Sequence, residues 1–420
     1  MNYLNKNIKE FKNDLKKLIG FKTFLKDVYP NQEMKNALKF MQELAERDGM
    51  RSYIDPEGYY GYIEIGFGEE LIGILTHIDV VPPGNSEEWN TPPFTLTEKD
   101  GRLYGRGTSD DKGPLMLLYY LMKDLNENRK LNKRIRLIFP TDEESKWRGV
   151  EKYNKLEEKI SFGITPDSQF PPTFLEREIL QVELTSKKGT NGWTINAGTA
   201  ANVVPAKAIY NDGKGKEIVV DGRSSHAMKP ELGDNAIVKL MKRIETLEHP
   251  MLDFIRNEVK DETNGETLFN GLIKDEYANI TLNLAMANFN EEGSRLVLDS
   301  RIPITSNAKE IEEIYRSKAE KYGYEFKVFK QAKSVYFPLE HWLIKDIQDS
   351  YKEVMKEEVA PITSGGGTYA KSMDNVIACG ALMPWSEHTE HQYNENIKID
   401  DYLKAYDVYN NLFNKWLNKD

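Results

Sequence analysis

The 420-residue sequence lacks the features that mark secreted and membrane-spanning proteins. It has a single cysteine, Cys379, which excludes an internal disulfide framework and is typical of a reducing compartment. No segment approaches the roughly 20 apolar residues that cross a bilayer, and the first residues lack the apolar core of a secretory signal. We therefore expect a cytoplasmic protein with no membrane partner.

Basic residues are also fewer than acidic ones. The chain carries 57 lysine and arginine residues against 67 aspartate and glutamate residues, which gives a formal net charge of −10. A protein that binds nucleic acid needs a broad basic surface to neutralise phosphates. The charge balance therefore predicts no nucleic-acid partner.

The first part of the chain alternates strand and helix patterns. Short apolar runs at 71–75, 135–139 and 162–165 are typical of buried strands in an α/β sheet. Between the first two runs, Gly113 and Pro114 begin a segment with an apolar stripe at helical spacing, which predicts a helix.

The pattern changes at a proline-rich segment, residues 169–173. Beyond it, strand patterns are interrupted by two predicted helices, near 234–260 and 307–322, and the last part returns to helix, turn, strand and helix. We predict an α/β fold whose catalytic domain has a mixed, mostly parallel sheet flanked by helices. This domain is formed by residues 1–172 and 331–420 and is interrupted by an inserted α+β lid domain at 173–330.

Five short clusters contain the histidines and carboxylates that bind divalent metal ions. Four of them follow segments of buried-strand type, and ligand sites in α/β sheets lie at the carboxyl ends of strands. The sequence therefore predicts that the clusters converge at one edge of one sheet and bind two metal ions. They are residues 75–82 (LTHIDVVP), 105–114 (GRGTSDDKGP), 140–144 (PTDEE), 165–168 (TPDS) and 388–395 (HTEHQYNE).

The first two clusters suggest roles but leave alternatives open. Asp79 lies two positions after His77 and suits the carboxylate that orients a metal-binding imidazole. Of Asp110 and Asp111, one carboxylate is expected to bridge two cations while the other caps the following helix. A purely capping role is the alternative.

The later clusters also suggest roles and leave alternatives open. Glu143 and Glu144 are adjacent at a strand end, so one can bind metal while the other acts as a general base. A solvated acidic turn is the alternative. Asp167 again places a carboxylate at a strand end, and His388 competes with His391 for the last position.

In this order the clusters resemble those of a metallopeptidase family that includes aminoacylase-1-like enzymes, glutamate carboxypeptidases and cytosolic dipeptidases. The likeness extends over nearly the whole chain and is greatest to bacterial dipeptidases of the PepV type, which are Xaa-His or carnosinase-like. It implies two divalent metal ions, with zinc as the chemical default and manganese or cobalt as alternatives. The implied ligands are His77 and Asp167 for one ion, Glu144 and His391 for the other, and Asp110 bridging both.

The resemblance also decides between neighbouring candidates. It favours Asp110 over Asp111 because the family's ligand lies two residues before Lys112-Gly113. It favours His391 over His388 because His391 precedes Gln392 and the pair Asn394-Glu395. Glu143 then matches the general base, and Asp79 matches the residue that orients His77.

The inserted domain shares the resemblance. The segment around His226 is similar to the family's lid segment and implies that His226 stabilises the transition state. Asn202 resembles a substrate-contacting asparagine, and Arg301 resembles the arginine that grips the C-terminal carboxylate of the substrate. The loop with Gly366, Gly367 and Thr368 resembles the one that closes around the bound peptide.

One departure from the family's motifs lies beside the predicted base. Lys146 stands where a small residue, often glycine, follows the Glu-Glu pair in the family, and Trp147 comes next. No ligand is lost, but the family's substrate preference does not carry over to this chain at this position.

The resemblance implies a metal-dependent dipeptidase that hydrolyses unblocked dipeptides with a water activated by two metal ions. Because the inserted segment includes both His226 and Arg301, as in PepV-type enzymes whose lid completes the site within one chain, we expect a monomer. One alternative is an N-acyl amino acid deacylase or carboxypeptidase of the same family. A less favoured alternative is an inactive metal-binding protein with an interaction role.

Overall fold

A computed structural model describes residues 2–26 and 28–419 of the chain. The chain divides into two compact units. The first comprises Met1–Phe174, Phe337–Ile362 and Thr368–Asp420, and the second comprises Leu175–Tyr336 and Thr363–Gly367. Within the described ranges, none of the helices combines the length and the apolar character that crossing a bilayer requires.

The described residues form ten α-helices. In chain order they are α1 (Tyr3–Lys6), α2 (Ile8–Gly20), α3 (Gln32–Arg47), α4 (Lys112–Asn128), α5 (Arg148–Leu156), α6 (Ala236–Met241), α7 (Pro250–Phe254), α8 (Ala308–Lys321), α9 (Trp342–Met355) and α10 (Ile399–Asn418).

The strands are, in the same order, β1 (Arg51–Ile54), β2 (Tyr60–Ile65), β3 (Leu71–Leu75), β4 (Thr97–Lys99), β5 (Arg102–Tyr104), β6 (Arg134–Pro140), β7 (Phe162–Thr165), β8 (Ser168–Gln169), β9 (Thr173–Glu176), β10 (Glu178–Ser186), β11 (Thr194–Ala197), β12 (Lys207–Asn211), β13 (Glu217–Asp221), β14 (Thr281–Asn290), β15 (Gly293–Ile302), β16 (Glu325–Ala332), β17 (Val335–Tyr336), β18 (Ile362–Ser364), β19 (Val376–Ala378), β20 (Ala381–Leu382) and β21 (Asn396–Lys398).

The first unit is built on a mixed sheet with the strand order β1-β2-β6-β3-β7-β19-β9. The four central strands are parallel, and the flanking strands pair in antiparallel fashion. Strands β3 and β7 are buried along their whole length, as expected for parallel strands that are covered on both faces. The predicted α/β class with a mixed sheet is confirmed.

Three of these parallel strands position the predicted site. Because β6, β3 and β7 are neighbours and run in the same direction, their carboxyl ends lie at the same edge of the sheet. The close pairing of β3 and β7 depends on glycine at one register position. A Cβ atom on Gly163 would lie 2.2 Å from the carbonyl oxygen of Gly73, so any side chain there would push the strands apart.

The second unit contains an antiparallel sheet with the order β13-β12-β11-β14-β15-β10-β16. Its apolar core includes residues from α6, α7 and α8. The predicted helix near 307–322 is confirmed as α8.

The prediction of a single helix near 234–260 is wrong. The structure has α6, then α7, and a π-helical turn at Ile255–Val259. Helix α6 already ends at Met241, and Pro250 explains why α7 does not extend back through His249, because the residue before a proline is disfavoured in the helical region. His249 is accordingly extended (φ −164°, ψ 131°), and its side chain caps α7 by accepting a hydrogen bond from the N–H of Met251.

Candidate active site

The structure brings all five predicted ligands together in the first unit. His77, Asp110 and Asp167 form one group, and Asp110, Glu144 and His391 form another. In each group the ligand atoms lie within 4.8 Å of one another. Asp110 belongs to both groups, which is the arrangement of a carboxylate that bridges two cations.

The two oxygens of Asp110 serve different groups. Its Oδ1 lies 2.8 Å from Nε2 of His77, and its Oδ2 lies 2.9 Å from Nε2 of His391. The same nitrogen of His77 is 3.9 Å from Oδ2 of Asp167, and that of His391 is 2.9 Å from Oε1 of Glu144. Imidazole nitrogens and carboxylate oxygens are ligands that Zn²⁺ and other divalent first-row metals accept. The donor set therefore fits two divalent cations.

Electrostatics favour cations at the same place. Burial and the charge of Asp110 raise the pKa of Asp167, and the charge of Glu144 raises the pKa of His391 to about 12. Burial alone would lower the pKa of His77, but the hydrogen bond to Asp110 raises it above the usual value. Burial alone would raise the pKa of Asp110, but hydrogen bonds to His391 and His77 lower it below the usual value. Several carboxylates thus share a poorly solvated space, where they need positive charge nearby.

Asp79 links two of the strand ends. Its carboxylate accepts hydrogen bonds from the N–H groups of Glu143 (3.0 Å) and Glu144 (3.2 Å). The other ring nitrogen of His77, Nδ1, lies 3.1 Å from the main-chain oxygen of Asp79 and 3.5 Å from its Oδ1. One side chain therefore contacts His77 and also holds the turn that carries Glu143, whose exposed fraction is 9%.

The expected capping role of Asp111 is wrong. Asp111 occupies the N-cap position of α4, but its side chain makes no capping hydrogen bond. Its Oδ2 instead accepts a hydrogen bond from the main-chain N–H of His77 at 3.1 Å. The fully buried carboxylate therefore supports the backbone of a candidate metal ligand rather than the helix end.

His391, not His388, joins the ligand group. The side chain of His388 is 63% exposed, and its Nδ1 lies 3.4 Å from Glu390. His391 has a φ of +63°, in the left-handed region where residues other than glycine are uncommon. Such backbone strain is typical of functional positions that the surrounding structure holds in place.

Glu395 has a structural role that no sequence motif predicted. This carboxylate is fully buried and accepts hydrogen bonds from Nη1 of Arg106 (2.6 Å) and from the main-chain N–H groups of Gly107, Ser109 and Asp110. It therefore holds the turn that presents the shared ligand. Its partner Arg106 is 289 positions away along the chain, so no local pattern marks the pair.

Two of the predicted lid residues lie on neighbouring segments of the second unit. The main-chain oxygen of Asn202 accepts a hydrogen bond from the N–H of Ala227 at 2.8 Å, next to His226. The ring Nδ1 of His226 accepts a hydrogen bond from the N–H of Met228 at 3.1 Å. The tautomer with the proton on Nε2 follows from this contact.

Arg301 is 2% exposed and has a fixed orientation in the same unit. Its guanidinium binds both carboxylate oxygens of Asp299, at 2.7 and 3.0 Å, and donates to the carbonyl of Gly365 at 2.8 Å. The predicted loop continues from Gly365 through Gly366 and Gly367, and Thr368 caps the short helix Tyr369–Ser372 in the first unit.

Arg177 is a second arginine at this loop, and no sequence motif predicted it. It donates to the carbonyl oxygens of Asn279 and Met228. A Cβ atom on Gly365 would lie 2.0 Å from its Nη2, so glycine is required for this approach. Burial and the nearby Arg301 lower the pKa of Arg177.

Comparison with known proteins identifies relatives over most of the chain. The sequence pattern of peptidase family M20/M25/M40 matches residues 73–415. YtjP of Bacillus subtilis, a protein proposed to be a dipeptidase, is 32% identical over 415 residues, which cover 89% of this chain and 88% of YtjP.

Solved structures with the same fold include human carnosine dipeptidase 1, with a TM-score of 0.68, 14% identity, and coverage of 99% of this chain and 98% of that one. They also include the M20 family metallo-carboxypeptidase Sso-CP2 from Sulfolobus solfataricus, with a TM-score of 0.65, 20% identity, and coverage of 97% and 99%. The predicted family resemblance is confirmed.

Substitution of the shared ligand should remove more metal than substitution of any other ligand. We expect Asp110→Asn to lose both ions, because both groups share Asp110, and Asp167→Asn to lose one. Elemental analysis after dialysis against metal-free buffer measures this. The matched control His388→Ala should keep two ions, and an Asp110→Asn protein that also keeps two would exclude the bridging geometry.

Substitution of Glu395 should destabilise the protein. Glu395→Gln leaves the charge of buried Arg106 without its partner, which costs about 3 kcal/mol or more. Urea denaturation measures the loss. Glu387→Gln removes a comparably short but exposed ion pair with Arg102 and should cost less than about 1 kcal/mol. Equal losses in the two variants would contradict the structural role of Glu395.

Proposed function

This chain belongs to the peptidase family M20/M25/M40 and is a hydrolase of the metallopeptidase class, and we propose that it hydrolyses unblocked dipeptides. The observation that carries the proposal is the position of Asp110 between two ligand groups, with Glu143 next in sequence to the ligand Glu144. Human carnosine dipeptidase 1 has the same fold, and YtjP bears a proposed dipeptidase name, which supports the substrate class.

In the proposed site, His77 and Asp167 would hold one ion, Glu144 and His391 would hold the other, and Asp110 would hold both. When bound, two divalent ions supply Lewis acidity, which polarises a carbonyl and makes a water molecule nucleophilic near neutral pH. Zinc is the default for mixed imidazole and carboxylate ligands, and manganese or cobalt also suit them.

We propose that Glu143 is the general base. Its carboxylate would take a proton from the attacking water and give it to the amine that leaves when the peptide bond breaks, so the proton is conserved. Asp79 supports this role because it accepts a hydrogen bond from the N–H of Glu143 and also contacts His77. It would thereby orient both base and ligand.

The proposal gives the second unit the role of substrate binding, with residues 173–330 as the lid domain. His226 would donate a hydrogen bond to the developing oxyanion, and Asn202 and the loop Gly366, Gly367 and Thr368 would contact the peptide. Arg301 would bind the C-terminal carboxylate. Its bonds to Asp299 and Gly365 use three of the five N–H donors of a guanidinium, so two remain for a ligand.

We further propose that the enzyme is a cytoplasmic monomer. The single buried cysteine is consistent with a reducing compartment. Light scattering that gave an obligate dimer would exclude the monomer.

Glu143→Gln should greatly reduce turnover without removing metal. We expect kcat for dipeptides to fall about 10²–10⁴-fold, the range that general acid–base catalysis contributes, while elemental analysis still finds two ions. Glu151→Gln, on the exposed side of α5, is the matched control and should keep full activity. Wild-type kcat in Glu143→Gln would remove the proposed mechanism.

The substrate class is tested by comparing two kinds of substrate that differ at the N-terminus, one with a free amine and one with an acetylated amine. We expect unblocked dipeptides to be cleaved with a kcat/KM at least about tenfold above that for N-acetylated amino acids, since tenfold corresponds to about 1.4 kcal/mol of binding discrimination. The assay uses protein reconstituted with Zn²⁺, Mn²⁺ or Co²⁺. Preference for the N-acetylated substrates would assign the deacylase function instead.

A further inference from the structure

The main chain of Glu143 is held on both sides. On one side, Asp79 accepts a hydrogen bond from its N–H at 3.0 Å. On the other, the indole N–H of Trp147 donates to its carbonyl oxygen at 2.7 Å, in the peptide unit whose N–H, that of Glu144, also donates to Asp79. We propose that Trp147 is a positioning residue for the general base. This inference rests on the proposed role of Glu143.

The geometry explains why two main-chain bonds matter for a side chain. The N–H and C=O of Glu143 belong to the two rigid peptide planes on either side of its Cα, so fixing both planes fixes φ and ψ. The allowed side-chain rotamers depend on those angles. A base held in this way loses little freedom when it accepts a proton, and displacement of a reacting group by about 1 Å costs about 100-fold in rate.

The turn after β6 places Trp147 in reach of this carbonyl. Trp147 has a φ of 59° and a ψ of 21°, a left-handed conformation that is a genuine outlier for a bulky residue. Its own N–H donates to the carbonyl of Asp142 at 3.1 Å. The carboxylate of Asp142 accepts from the N–H groups of Arg148 and Gly149. The strained conformation persists because these bonds over-determine the turn.

The indole ring is also held by packing. Its centroid lies 5.5 Å from the ring of Tyr369, at an interplanar angle of 70°. Tyr369 is 1% exposed and makes a second edge-on contact, 6.5 Å between centroids, with the metal ligand His77. The carbonyl of Glu143 is therefore linked to the ring of His77 through Trp147 and Tyr369, within the first unit. An arrangement that served packing alone would not require the indole nitrogen to face the carbonyl of Glu143.

Replacement of Trp147 by phenylalanine tests the inference, because it keeps an aromatic ring and removes the N–H. We expect kcat for dipeptides to fall about tenfold to 100-fold, while KM stays within about twofold and two metal ions remain bound. Trp416→Phe is the matched control. It also removes an indole hydrogen bond, to Asp346 at 2.9 Å in the core of the same unit, and should keep wild-type kcat even where thermal stability falls.

A double-mutant cycle separates this inference from the proposed function. If Trp147 acts through Glu143, Trp147→Phe should have no further effect on the residual rate of Glu143→Gln. Wild-type kcat in Trp147→Phe, or additive losses in the double variant, would overturn the inference and leave the role of Glu143 intact. Wild-type kcat in Glu143→Gln would overturn the proposed function itself.

Discussion

The buried carboxylate of Asp110 is the group on which the arrangement of the site depends. One oxygen faces His77 and the other faces His391, so any movement of Asp110 changes the geometry of both ligand groups. A charged group that is removed from water needs partners on every side. Much of the surrounding structure supplies them, either to Asp110 itself or to the residues that contact it.

This support comes from side chains that do not bind metal in the proposed site. Glu395 holds the turn before α4 through the N–H groups of Gly107, Ser109 and Asp110, and Arg106 neutralises its charge. The next residue, Asp111, accepts a hydrogen bond from the backbone of His77. Three of the candidate ligands, His77, Asp110 and Glu144, are thus held through their main-chain N–H groups, which leaves their side chains for a cation.

The sequence predicted which histidines and carboxylates lie together but not the residues that hold them in place, for a physical reason. His77, Glu144 and Asp167 follow buried parallel strands, and the carboxyl ends of parallel neighbours meet at one sheet edge. Local periodicity is therefore enough to predict that these clusters converge, whereas the choice of Glu144 over Glu143 came from the family resemblance. Glu395 and Arg106 meet only through the tertiary fold, from positions 289 residues apart. The prediction of one helix near 234–260 was wrong for a different reason, since apolar spacing alone takes no account of the conformational restriction before Pro250.

The remaining problem for such a site is to keep two adjacent carboxylates in different roles. Under the proposed mechanism Glu144 binds an ion while Glu143 stays available for a proton, although both follow the same strand. Asp79 holds both residues, because it accepts a hydrogen bond from the N–H of each. The bond from Trp147 reaches the carbonyl of Glu143, in the same peptide unit that Asp79 holds through the N–H of Glu144. The two bonds together fix the orientation of this peptide unit, and with it the directions in which the two side chains leave the backbone.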